Sequence, residues 1–483
     1  MKKLLLAILT ASMLIFSLCG CTIRDPSDIG QGGIGVFDNI DLDADSSYTG
    51  SLRIAYGSSD AETLAINALV SSFNEKYPNI EVEVIPIGGD YSSNVLNLAR
   101  SAASLNRPEE MYDVFWLAQD YVSSFYQSDV LYPLGKIDEA DTNFDTSDIV
   151  ELALDVSSVN DTLYMMPRDY NQVVMYYNKD VFDAVDMPYP TDGMTRTEFV
   201  VMLEELQTRI STSTAKNGYG QYYRDMDFLV DSNVCWDSMI WPLLKSFGAE
   251  IVNENGEVVF DSENTSEALA FWKDLIQKGY ACSIAQGKSA SGTQFRMQNA
   301  ALFFHVRATL TDILTADPDK EVLGVQNIGV VSIPDFSDGE SEYYVGAGSS
   351  GYAMYSNTVH PTEAWLFLKH IVSVEGQQAF SETGNCVPVL KTLLNDENAA
   401  WRTWSEETIG SDFNNDAFIY KIKGGTTTRD FYQYIPVAAQ STVLNCIDEA
   451  MTNYVAQPSQ TFAQQMIKDA ASKMTTAIAQ AKG

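Results

Sequence analysis

The chain has 483 residues, 45% hydrophobic and 11% aromatic, which suits a globular protein too long for one ordinary core and points to two domains. Its 65 Asp and Glu against 30 Lys and Arg give a formal charge of −35. That balance excludes nucleic acid as a partner, because phosphate contacts need clustered cations, and argues against a flat anionic membrane surface. The charge itself reads as colloidal solubility.

Met1-Lys2-Lys3 precedes an apolar run from Leu4 to Leu18, which is shorter than the ~20 residues a spanning helix needs and reads as a secretory signal over 1–20. The run ends Leu18-Cys19-Gly20-Cys21, with a small residue before a cysteine and a leucine three before it. This resembles the bacterial lipobox. The resemblance implies that Cys21 becomes the N-terminus, carries a diacylglycerol and holds the protein on the outer face of the cell membrane. The competing reading is a plain signal peptide with a chance cysteine. Residues 21–50 are polar, Gly-rich and then acidic without an apolar period, as a flexible tether would be.

Leu52 to Tyr56 is expected as a strand. A helix follows, with Ala65, Ile66, Leu69, Val70 and Phe73 at helical spacing, ended by Pro78; then comes the alternating strand Ile80 to Val84. This β-α-β unit argues for an α/β fold with parallel strands. Val114-Phe115-Trp116 continues as a strand, Asp120 to Tyr126 as a helix. Amphipathic helices are expected over 196–209, 264–277 and 361–373, and an Ala-rich helix over 459–480.

Chemistry-bearing motifs are sparse. Cys235, Cys282, Cys386 and Cys446 have no Cys-x-x-Cys spacing, so zinc is not indicated; one or two disulfides are allowed, with the pairing open. Gly346 to Gly351 fits G-x-G-x-x-G, yet Tyr352 to Tyr355 reads as a strand where a dinucleotide site needs a helix. No Gly-x-Ser-x-Gly elbow or calcium loop is present, and no cofactor is called for.

Several runs together resemble one family. They are Leu163 to Pro167 followed by Met175 to Phe182, Phe247 to Asn253 through Val259 to Ser262, Gly329 to Pro334 with Val345 to Met354, and His360 to Leu368. In this order they are similar to the bacterial extracellular solute-binding proteins, of which the maltose-binding protein is the best-known member. The resemblance implies a two-lobed periplasmic-binding-protein-like fold (type II) with the ligand cleft between lobes. It places the N-terminal lobe at 51–167 plus 333–385 and the C-terminal lobe at 168–332 plus 386–483. It implies a monomeric, non-enzymatic receptor that captures a carbohydrate, an oligosaccharide above all, by hinge closure and hands it to ABC transporter permease subunits. A secreted glycan hydrolase and a sensory receptor coupled to a membrane kinase are the alternatives.

A sugar cleft needs aromatic faces and planar polar groups. Trp116 ends an apolar strand where α/β folds bind ligands, and the family segment pairs such a tryptophan with an acid, here Asp120. A core tryptophan and a helix cap are the bland readings. Arg168, Asp169 and Asn171 follow Pro167 at the implied crossing, where a hinge salt bridge is the bland reading; Asn171 stands where a family acid often meets the sugar. Trp236 and Trp241 are five apart, so one is expected in the cleft and one in the core. His305 and Arg307 follow an apolar run where the family has a stacking tryptophan that this chain lacks. Gly348, Ser350 and Tyr432 complete the expected ligand-binding set.

Overall fold

The computed structural model describes residues 40–317, 322–422, 426–427, 432, 434–457 and 459–482. The expected signal, Cys21 and most of the tether lie outside the described residues.

The first half opens with β1 (Gly50–Gly57), α1 (Asp60–Lys76), β2 (Ile80–Ile87), α2 (Tyr91–Leu105), β3 (Val114–Ala118) and α3 (Gln119–Tyr126). Ser59 caps α1 by accepting from the Glu62 backbone N–H, and Asp90 caps α2 in the same way through Ser93. The 3.6-residue period of α1 buries Ala65, Ile66, Leu69 and Phe73. β1 pairs parallel with β2 and with β3.

The chain continues through β4 (Met166–Pro167), β5 (Asn171–Gln172) and β6 (Val174–Asn178), then α4 (Arg196–Ser211), α5 (Asp237–Ser246), α6 (Glu263–Gln277), β7 (Leu302–His305) and β8 (Ile328–Ser332). A Thr195–Glu198 capping box starts α4, and Ser262 caps α6. After these come β9 (Gly346–Gly348), β10 (Ser350–Met354), α7 (Pro361–Ile371), β11 (Thr426–Thr427), α8 (Val437–Ala456) and α9 (Gln460–Lys482). The helix α8 is not among the expected elements.

Three sheets, beside a small two-stranded hairpin at 158–163, organise the described residues. The first has the order β2-β1-β3-β10-β4, with β10 antiparallel to β3 and β4. The second, β8-β6-β7, is antiparallel. The third, β11-β9-β5, links them. Each large sheet has its own core. Ala55, Phe115, Leu117, Phe125, Met165 and Ala353 belong to one; Val173, Phe199, Trp272, Phe304, Val345 and Ile447 belong to the other.

These cores relocate two expected boundaries. Ile333, Phe336, Tyr343 and Val345 all pack in the second core, so the return to the first lies between Val345 and Ala353 and not at Pro334. Val387 to Leu390 bonds to Tyr170 and to the Ile149–Val150 segment beside the first sheet, so the chain does not leave that side at Cys386. Hydrophobic burial decides the first point and backbone pairing the second. The disulfides that the sequence allows are not formed: Cys235, Cys282, Cys386 and Cys446 are free thiols.

The linking strand β9 is packed from both sides of the molecule. A Cβ at Gly346 would run into the Ser238 carbonyl at the start of α5, and one at Gly348 into the Gln119 side chain at the start of α3. The obstacle at Gly346 is backbone and cannot rotate away. Gly346→Ala is therefore expected to lower unfolding free energy by about 1–3 kcal/mol, read as a lower urea midpoint.

Candidate ligand cleft

Parallel pairing puts the C-terminal ends of β1, β2 and β3 on one edge, where α1, α2 and α3 begin; Ser350 at the start of antiparallel β10 joins them opposite Ala118. In open α/β sheets ligands bind outside this edge. Across β9 the start of α5 comes from the other core. The candidate site is the floor between these two sets of helix starts.

Trp116 is half-buried on the first side. The Tyr91 ring meets it edge-on at 5.5 Å, and the Arg168 guanidinium lies 5.9 Å from its ring centroid. Its Nε1 is buried with no partner among the described residues. Such a donor is costly unless an acceptor reaches it. Asp120 stands at the solvent-facing start of α3, and its carboxyl is raised by the packing around it and by the negative charge of Asp237.

Trp236 and His305 stand together on the second side. The His305 ring lies between Trp236 (5.0 Å, 18° between planes) and Phe303 (5.3 Å, 25°). Burial lowers the His305 pKa to about 4, so the ring is neutral, and its Nδ1 has no partner among the described residues. Tyr432 meets Trp241 edge-on at 5.5 Å, and burial with the charges of Asp237 and Asp120 raises its phenol. Asn171 donates to Asp169 while its Oδ1 stays buried and unpartnered.

Three expected contact residues, Arg168, Asp169 and Ser350, instead form a knot. Arg168, 4% exposed, donates to both Glu62 carboxylate oxygens at 2.6 and 2.5 Å, to Asp169 at 3.3 Å and to the Ser350 hydroxyl at 3.2 Å. Asp169 also accepts from the Ser350 N–H (2.7 Å), the Ser350 hydroxyl (2.8 Å) and Asn171 (2.9 Å). Gly348 is held against Gln119, whose Oε1 accepts from the Ser349 N–H. These groups already have partners, and their work is to join β4, β5 and β10.

Two expected contacts lie in the core. Trp241 is fully buried, since it falls on the inner face of α5. Arg307 is 0% exposed and donates to the carbonyls of Gly384 and Trp401, to Asn415 Oδ1 and to the Ser405 hydroxyl. The strand ends at His305, and the turn that follows sends Arg307 away from the cleft. Asp237, Glu62, Gln119 and Tyr91 were not expected. Asp237 was legible in principle, because it directly follows Trp236; nothing in the sequence joins Glu62 to Arg168.

Residues 68–406 match the family described as bacterial extracellular solute-binding proteins. The chain belongs to that family. A binding protein of Brucella abortus (strain 2308) is 22% identical over 242 residues, 50% of this chain and 54% of the relative, so the chain spans about half the length of the curated relatives it matches. Solved structures give the fold, a type II periplasmic-binding-protein architecture. An ABC substrate-binding protein of Listeria monocytogenes in complex with cycloalternan has TM-score 0.68 at 16% identity, covering 89% of this chain and all of that one. UgpB of Mycobacterium tuberculosis with glycerophosphocholine has 0.69 at 16%, covering 90% and 100%. Maltose-bound MalE3 of T. maritima has 0.65 at 18%, covering 89% and 100%.

His305 gives a pH prediction for this solute-binding protein. Its folded pKa, about 4, lies below the ordinary 6.5, so stability is complete above pH 6.5 and is lost as pH falls towards 4. His305→Phe keeps the ring stack and removes the titration. Between pH 7 and 4.5 the variant is expected to lose roughly 2 kcal/mol less stability than the parent, measured by chemical denaturation.

Proposed function

We propose that the protein is the lipid-anchored extracellular receptor of an ABC importer, that it captures a carbohydrate, in particular an oligosaccharide, and that it does so by hinge closure. The carrying observation is the pair of half-buried indoles, Trp116 beside the first sheet and Trp236 at the start of α5, with Asp120, Asp237 and Asn171 at the same floor. Indole faces suit the C–H face of a sugar ring, and carboxyl and amide groups suit its hydroxyls. The cycloalternan- and maltose-bound relatives support a sugar. The glycerophosphocholine-bound relative keeps a phosphodiester in view, but two acids at the floor disfavour a phosphate there.

The facing acids favour one second reading, a glycan hydrolase, because paired carboxyl groups are its machinery. Turnover separates the two. A thermal-shift screen against mono- and oligosaccharides is expected to find a stabilising glycan that is recovered intact; ligand at ~100 Kd adds about 2.7 kcal/mol. Trp116→Ala is expected to weaken that glycan about tenfold, the loss of one stacked aromatic contact. Cleaved glycan would overturn the receptor reading, and no shift with any sugar would move the ligand class away from carbohydrate. For the anchor, Cys21→Ser is expected to shift the protein from the membrane fraction to the culture medium, followed by immunoblot.

A further inference from the structure

Asp113 stands directly before β3 and is 3% exposed. Its carboxylate accepts from the Arg53 backbone N–H at 2.9 Å and from the Thr358 hydroxyl at 2.5 Å. Both carboxylate oxygens lie 3.2 Å from Nδ1 of His360, the residue that precedes α7. The other ring nitrogen, Nε2, lies 3.4 Å from the hydroxyl of Ser51, an exposed residue near the start of β1. The Thr358 hydroxyl also accepts from the His360 backbone N–H at 3.1 Å, which holds the ring beside the acid. A hydroxyl, an imidazole and a buried carboxylate thus meet in series, drawn from three segments far apart in the sequence.

We propose that Ser51 is an activated nucleophile, with His360 as its base and Asp113 as the positioning residue, and that it accepts acyl groups from donors with a good leaving group, such as aryl esters. This goes beyond the solute-binding reading and does not rest on it. Ser51 and Gly57 stand near opposite ends of β1, about 20 Å apart at the rise of an extended strand, and the cleft lies at the Gly57 end.

A carboxylate can only accept, so it selects the tautomer with the proton on Nδ1 and leaves Nε2 free to take the Ser51 proton. This division of roles recurs on unrelated folds and is recognised by geometry, not by sequence position. In the step, Ser51 Oγ bonds to the carbonyl carbon of the ester. The bond from that carbon to the aryl oxygen breaks, and the aryl group leaves as a phenolate. The hydroxyl proton passes to His360 Nε2 and then to water, and Asp113 stabilises the imidazolium formed on the way.

The neighbours limit the site to accepting an acyl group. Glu363, 6% exposed, lies over Gly50 and takes the Ser51 backbone N–H. That N–H is therefore not offered to a developing oxyanion, and one such donor is worth about 10²–10³-fold in rate. The Arg53 guanidinium is turned to Glu83 and to the carbonyls of Glu109 and Met111. Transfer thus needs an activated donor, and the acyl-serine accumulates instead of turning over.

The test treats the whole chain with p-nitrophenyl acetate at neutral pH and follows acetylation site by site by peptide mass spectrometry. Ser104, exposed, with its hydroxyl donating to the Ser101 carbonyl, is the internal reference. Ser51 is expected to be acetylated about 100-fold faster than Ser104, the contribution of a positioned base. His360→Gln and Asp113→Asn are each expected to bring that ratio close to one. The ratio is read within one folded sample, checked by its thermal midpoint, so a variant that only lowers stability does not move it. Equal rates at Ser51 and Ser104 in the parent overturn the proposal without any variant, and so does an undiminished ratio in His360→Gln. Neither result touches the receptor reading, which stands or falls in the glycan screen.

Discussion

The architecture depends on how closely two helices can approach one strand. Gly346 and Gly348 present bare backbone, so the first turn of α5 sits directly on β9 at Ser238 and α3 rests on it through the Gln119 side chain. A Cβ at Gly346 would press on the α5 backbone itself, whereas one at Gly348 would displace the Gln119 side chain. The geometry of the cleft floor is thus set by two missing side chains and not by a contact that could be strengthened. Packed interiors transmit such a change because they have no slack to absorb it.

The knot of Arg168, Asp169, Ser350 and Glu62 gives this floor its stiffness. Three chain segments that are far apart in sequence share one carboxylate and one guanidinium, both nearly without solvent. Breaking one partner would leave a buried charge unpaired, which costs far more than an exposed pair contributes. The same guanidinium lies against the Trp116 ring, as it does against Tyr352 and Phe380 at 5.7 and 4.9 Å. A ligand stacking on Trp116 would therefore meet a ring already held on its other contacts, and little ordering would remain to oppose binding.

The elements were legible where period and punctuation agreed. Ser59 before an i, i+3, i+4 apolar series, or Thr195 with Glu198 three residues on, locates a helix start from local chemistry alone. α8 carries the same signal in Val443, Ile447, Ala450 and Met451, and it passes unnoticed because polar residues and a cysteine interrupt it. Long-range facts were not legible. Arg307 reads like a ligand contact beside an apolar run, and only the fold shows Trp401, Ser405 and Asn415 arriving from some hundred residues later to surround it. Trp116 and Asp120 could be read from their place at a strand end. Asp237, directly after Trp236, could have been read in the same way.

The four cysteines have a practical side. Burial raises every one of their thiols, Cys282 to about 11 and Cys235, which also faces Asp448, to about 12. A thiol reacts as its thiolate, so at neutral pH these four are chemically quiet although none is tied in a disulfide. A cysteine introduced on the surface would be the reactive one among the described residues. The described part of the fold therefore arrives with its four thiols already masked, and site-specific dyes or spin labels could be attached without first removing any of these four.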